Sequence, residues 1–170
     1  MASRWDEGRP SGASGDLGYT PEKAGKFARR GSQPRALYAP DRILIAEDMP
    51  SIAWLLFDIL SEAGYDIVGP AATAAAAIEL AAKTHLDAAL LDIHLADGPS
   101  FAIAESLAAR NIPFAFLSGD GTDGLPPQFH GRPIIGKPMS LDNVLNMVKL
   151  LCSLSEDAEV KNFAFKNRLC

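Results

Sequence analysis

The stretch Ala88-Ala89-Leu90-Leu91-Asp92-Ile93-His94-Leu95-Ala96-Asp97-Gly98 decides the fold. Four apolar residues with no polar alternation read as a strand buried on both faces, and the Asp92 carboxylate stands where that strand surfaces into a Gly-containing loop. Three other apolar runs end the same way. Ile43-Leu44-Ile45-Ala46 leads into Glu47-Asp48, Phe114 to Leu117 leads into Ser118-Gly119, and Pro133 to Ile135 leads into Gly136-Lys137-Pro138. A shorter run around Ile67-Val68 follows the turn signal Gly64 and ends at Gly69-Pro70, which reads as a breaker.

Helical periodicity fills the intervals between these runs. Ile52, Leu55, Leu56, Ile59 and Leu60 recur at helical spacing, and Trp54 and Phe57, interleaved with them, could serve a partner surface but are read in preference as core. An Ala-rich helix is expected from about Thr73 to Lys83, and Ser100 is placed to cap another that reaches about Arg110. Ser140 caps a final helix whose apolar stripe is Leu141, Val144, Leu145, Val148, Leu151 and Cys152. The interval from Gly121 to Gly131 carries Pro126-Pro127 and is too broken for a full helix, so the fourth helix is expected short or irregular. Continuous apolar strands alternating with helices imply a doubly wound α/β fold, a five-stranded parallel sheet covered on both faces. In such a sheet the site lies outside the carboxyl ends of the strands. Glu47, Asp48, Asp92, Ser118 and Lys137 all fall on that edge.

The chain has 170 residues, enough for one domain with a sizeable core, and its 48% hydrophobic content is that of a globular protein. Residues 1–40, rich in Gly, Ser, Pro and Arg, read as a flexible arm, with Tyr19-Thr20-Pro21-Glu22 able to open a short helix. The domain occupies 41–152, and 153–170 form a tail too short for a winged helix or a helix-turn-helix. Net charge is −5, so a dedicated nucleic-acid binder is not expected; residues 1–40 hold seven Lys/Arg against four Asp/Glu, and the remaining 130 sum to −8. Two cysteines, Cys152 and Cys170, make neither a disulfide framework nor a zinc site, which points to a reducing compartment, the cytoplasm. No apolar stretch approaches the length of about 18 residues that a membrane helix requires.

Three carboxylates brought together repel by about 4 kcal/mol per pair at 4 Å and an effective dielectric of 20. One lysine does not cancel that. The fitting counter-ion is Mg2+, a hard cation taking carboxylate, carbonyl, water and phosphate oxygens. An ionised Asp92 is then a competent nucleophile toward phosphorus, Lys137 offsets charge on the transferring group, and Ser118 donates a hydrogen bond to a phosphoryl oxygen. Gly119 leaves its own N–H open to the same group.

Glu47-Asp48, Asp92, Ser118 and Lys137-Pro138, in that order and at those intervals, resemble the receiver domain of two-component response regulators, a flavodoxin-like fold. The resemblance covers residues 41–152. It implies that Asp92 accepts phosphate from a sensor histidine kinase or phosphotransfer protein and that Glu47, Asp48 and Asp92 hold Mg2+. It implies further that the His94 backbone carbonyl completes the metal site, that Ser118 is the switch hydroxyl, and that Lys137 contacts the phosphate. More narrowly, Pro113 to Gly121 with Leu125-Pro126-Pro127 and Gly131-Arg132-Pro133 is similar to stand-alone receivers with a Phe-Ala-Thr-Gly-Tyr signature. Leu117-Ser118 replaces Ala-Thr there, Asp120 replaces Tyr, and Ile134 stands where many receivers carry a switch aromatic. The implied protein is a switch that catalyses only its own phosphorylation and dephosphorylation, acting on an unknown downstream protein or as a phosphate sink.

The same residues bear on other readings. A receiver-shaped adaptor that binds partners without phosphate would not need the five-residue constellation. Gly119-Asp120-Gly121-Thr122-Asp123-Gly124 matches G-x-G-x-x-G, yet the prolines that follow interrupt the helix such a fingerprint must open. His85 and His130 lack ligand partners at useful spacing and read as surface residues. Asp120, two positions past Ser118, is placed to tune acyl-phosphate lifetime.

Overall fold

The computed structural model describes the backbone of residues 40–166 and the side chains of 40–155. The strands of the main sheet are β1 (Arg42–Ala46), β2 (Asp66–Ala71), β3 (Ala88–Asp92), β6 (Phe114–Ser118) and β7 (Ile134–Gly136). Between β3 and β6 lie two short strands, β4 (His94–Leu95) and β5 (Gly98–Pro99). The helices are α1 (Pro50–Glu62), α2 (Ala74–Lys83), α3 (Phe101–Ala109) and α4 (Leu141–Lys166). The main sheet is parallel throughout, in the order β2-β1-β3-β6-β7. That is the doubly wound architecture, with the order reversing between β1 and β3.

Strand alternation separates two cores. Leu44, Ala46, Ala89, Leu91, Phe114 and Phe116 face α2 and α3, whereas Ile43, Ile45, Ala88, Leu90, Ala115 and Leu117 face α1 and α4. Both faces of β3 and β6 are buried, which is why those strands are apolar without alternation. The interval 121–131 holds a 3-10 turn, Pro127–Phe129, in place of a full helix. Phe129 anchors that turn by packing edge-on against Phe114 and Phe116.

The fold departs from the sequence pattern at several points. The strand at Ile67-Val68 does not stop at Gly69-Pro70; β2 runs on to Ala71 through a register shift. Gly69 makes this possible, since its φ is +103° and a Cβ there would come 2.8 Å from the Ile45 carbonyl oxygen. Pro70 is tolerated because β2 is an edge strand. Ser100 precedes α3 but does not cap it: its φ and ψ of −75° and 11° are not the extended values of a capping residue. Its buried hydroxyl has no hydrogen-bond partner. Trp54 and Leu55 are about half exposed rather than core, as is Leu141. The apolar arcs of α1 and α4 are wider than the strips their neighbours cover. The last helix continues past Cys152 to Lys166. The arm at 1–39, its candidate helix, and the side chains of the tail beyond Ser155 lie outside the described residues.

Candidate functional site

Sheet register builds the site. Ala46 pairs with Leu91, so Glu47, the next residue, leaves β1 beside Asp92 at the end of β3. Asp92 pairs with Leu117, and Ser118 pairs with Gly136, which puts Ser118 and Lys137 one step further on. The Lys137 N–H donates to the Ser118 carbonyl oxygen at 2.7 Å and prolongs that ladder by one bond.

Carboxylate oxygens of Glu47, Asp48 and Asp92 all lie within 4.8 Å of one another. Lys137 joins two of them, its ammonium donating to Asp92 Oδ2 at 2.6 Å and to Glu47 Oε2 at 2.8 Å. The Met49 N–H donates to Glu47 Oε1 at 3.1 Å, so both Glu47 oxygens are engaged. Asp92 Oδ1 accepts weakly from the His94 N–H at 3.3 Å. Ser118 is buried, and its Oγ accepts from the Asp120 N–H at 3.1 Å, aligning the start of the following loop. The His94 side chain is exposed, so any part it takes in the cluster falls to its backbone.

Burial sets the electrostatics. The Glu47 side chain is 0% exposed and that of Lys137 is 18% exposed. Burial pushes the Glu47 carboxyl above its ordinary value, helped by the Asp92 carboxylate and opposed by hydrogen bonds from Lys137 and Met49. Burial works against the Lys137 ammonium as well. There the hydrogen bonds to Asp92 and Glu47 outweigh it, and the Lys137 pKa lies above its ordinary value. One ammonium among three carboxylates leaves an excess of negative charge on oxygen donors, the donor set a hard divalent cation requires.

Asp97 is the residue that reading the sequence passed over. It was visible only as a turn residue after Asp92, yet its carboxylate accepts from the Ala74 and Ala75 N–H groups at 2.7 and 3.1 Å. Those bonds hold its carboxyl below the usual carboxylate range. His130 is exposed, with a ring nitrogen 2.9 Å from the Leu125 carbonyl oxygen; His85 is exposed too. Neither belongs to the cluster of acidic groups. Among the described residues no helix is long and apolar enough to cross a membrane.

No family model matches the chain. The transcriptional regulatory protein PdtaR of Mycobacterium tuberculosis is 29% identical over 118 residues, 67% of this chain. The chain spans only 58% of that curated relative's length. The solution structure of SdrG from Sphingomonas melonis Fr1 is 39% identical, with a TM-score of 0.60, and the match covers 68% of this chain and 98% of SdrG. The receiver domain of the sensor histidine kinase PA1611 from Pseudomonas aeruginosa PAO1, which has a magnesium ion in its active site cleft, is 20% identical with a TM-score of 0.61. That match covers 68% of this chain and 99% of the other, and at this identity it shows the fold alone. With a site assembled at the strand ends and a relative matched over nearly its whole length, the chain belongs to the response regulator receiver domains of two-component systems.

Proposed function

We propose that residues 41–152 form a phosphorylation switch in which Asp92 accepts a phosphoryl group from a sensor histidine kinase or phosphotransfer protein. The observation that carries this reading is the meeting of Glu47, Asp48 and Asp92 within 4.8 Å beside the Lys137 ammonium. Glu47, Asp48, Asp92 and the His94 backbone carbonyl would hold Mg2+, whose chemistry there is to offset charge on the phosphoryl oxygens. An Asp92 carboxylate oxygen attacks phosphorus, forming a P–O bond as the P–N bond of the donor phosphohistidine breaks. The imidazole departs with the bonding electron pair and takes up one proton from solvent on that nitrogen, leaving as neutral imidazole. Lys137, already bonded to Asp92, turns toward the incoming phosphoryl oxygens, and Ser118 exchanges its bond from Asp120 for one donated to the phosphoryl group.

Output follows from that exchange. Ser118 and the loop after it move toward Asp92 and alter the surface made by 121–131, β7 and α4. There a downstream protein binds, or the domain drains phosphate from a kinase. The chain acts in the cytoplasm and needs neither nucleic acid nor membrane. Incubation with Mg2+ and acetyl phosphate, followed by intact mass measurement, tests the reading. A phosphate adduct on the wild type that is absent from Asp92→Asn is the expected result. A wild type that takes no phosphate from this donor or from a kinase would establish the alternative, a receiver-like adaptor.

A further inference from the structure

The first turn of α2 is capped from two directions. Thr73 Oγ1 accepts from the Ala76 N–H at 3.1 Å in the ordinary local way. The Ala74 and Ala75 N–H groups instead donate to the two oxygens of Asp97, 23 and 22 positions away in the chain. Asp97 stands with Ala96 at the tip of the antiparallel β4–β5 hairpin, where His94 faces Pro99 and Leu95 faces Gly98. The hairpin begins two residues after Asp92.

The segment 71–75 is therefore a bracket between the two sides of the site. Its Ala71 carbonyl oxygen accepts from the Glu47 N–H at 2.9 Å, and its Ala72 carbonyl oxygen accepts from the Ala96 N–H at 3.0 Å. Asp97 adds two charge-assisted bonds to the hairpin side. A carboxylate at the positive end of a helix is favourable by itself, but this one is exposed, where such attraction is weak and screened by salt. Its consequence is positional: it ties the strand carrying His94 to the same bracket that holds Glu47.

We infer that Asp97 is a positioning residue for this site: its two-pronged bond to α2 holds the β4–β5 hairpin, and with it the His94 carbonyl, in register with Glu47, Asp48 and Asp92. The inference rests on the reading of that cluster as an Mg2+ and phosphoryl site.

Calorimetric titration of the full chain with MgCl2 at physiological salt, beside amide exchange of the metal-free protein, tests it. Asp97→Ala is expected to lose protection at Ala74, Ala75 and Ala96 and to bind Mg2+ roughly tenfold more weakly, the usual scale for losing a group that orients a ligand. Thr73→Ala is the control, because it removes the other cap of α2 without touching the hairpin; its thermal midpoint should fall while its Mg2+ affinity stays at the wild-type level. Asp97→Asn keeps one acceptor and should lie between Asp97→Ala and wild type. Wild-type affinity in Asp97→Ala would overturn the inference, and so would an equal loss in Thr73→Ala. Equal losses in Asp97→Asn and Asp97→Ala that vanish at high salt would overturn it too, assigning the effect to charge alone. A wild type that binds no Mg2+ would overturn the reading of the site itself, and the inference with it.

Discussion

Lys137 shows how one side chain serves the site before any phosphate arrives. Its ammonium divides its hydrogen bonds between Asp92 and Glu47, which lie 45 and 90 positions earlier in the chain. Because these bonds raise the Lys137 pKa above 10.5, their stabilising contribution is present in full below that pH and is lost as pH rises through the higher folded value. In EDTA, Lys137→Met should therefore be less stable than wild type near pH 9, by about 2 kcal/mol for a charge-assisted bond. The gap between the two should close as pH climbs beyond 10.5. Urea unfolding of both proteins across that range measures it. A gap that stays constant to the alkaline end would mean that the ammonium contributes nothing to the fold, and that Met at 137 costs only its altered packing. The Glu47 carboxyl shifts upward for the opposite reason, because burial outweighs its partners. The fold therefore disfavours the ionised form of Glu47, consistent with a cluster shaped for a cation.

The interval between β6 and β7 is the element that departs furthest from regular alternation. Two prolines deny it a full helix, and packing supplies what hydrogen bonding does not: Phe129 is 3% exposed and meets Phe101, Phe114 and Phe116 at centroid distances of 5.5 to 6.2 Å. Phe129→Ala should cost about 3 kcal/mol in denaturant unfolding and raise amide exchange across 121–131 ahead of the strands. Exchange unchanged in that segment would mean it is held by other contacts. The same contrast explains what could be read from the chain beforehand. Strands buried on both faces announce themselves as unbroken apolar runs, so β1, β3 and β6 and the groups at their ends were readable, and with them the edge where acids and lysine meet. Gly69-Pro70 was not, because the same dipeptide breaks an interior strand and bends an edge one, and only neighbouring strands decide which. Trp54 and Leu55 sit at spacings that suit a core, but how much of a helix is covered depends on its neighbours. Asp97 looked like any turn aspartate, since its partners are amides on a helix that local sequence does not place beside it.

At the scale of the molecule, the two cores on the faces of the sheet draw their buried side chains from residues 43–152. All five strands of the main sheet and both sides of the acidic cluster lie within residues 42–152. Among the described residues, every side chain of the two cores lies within a chain beginning at Pro40. We propose that residues 1–39 are the arm their composition implies, in which case removing them should change unfolding stability by no more than about 0.5 kcal/mol. Residues 1–39 carry seven cations against four anions, so their loss takes the net charge from −5 to −8. The shortened chain should then bind Mg2+ at least as tightly as the full one at low ionic strength, with any difference shrinking as salt is added. Unfolding curves and Mg2+ titrations of the two lengths, run at low and physiological salt, check both halves of this expectation. A shortened chain that loses stability well beyond that scale would show that the first 39 residues complete a core rather than precede one, and the boundary at residue 41 would have to move toward the start of the chain.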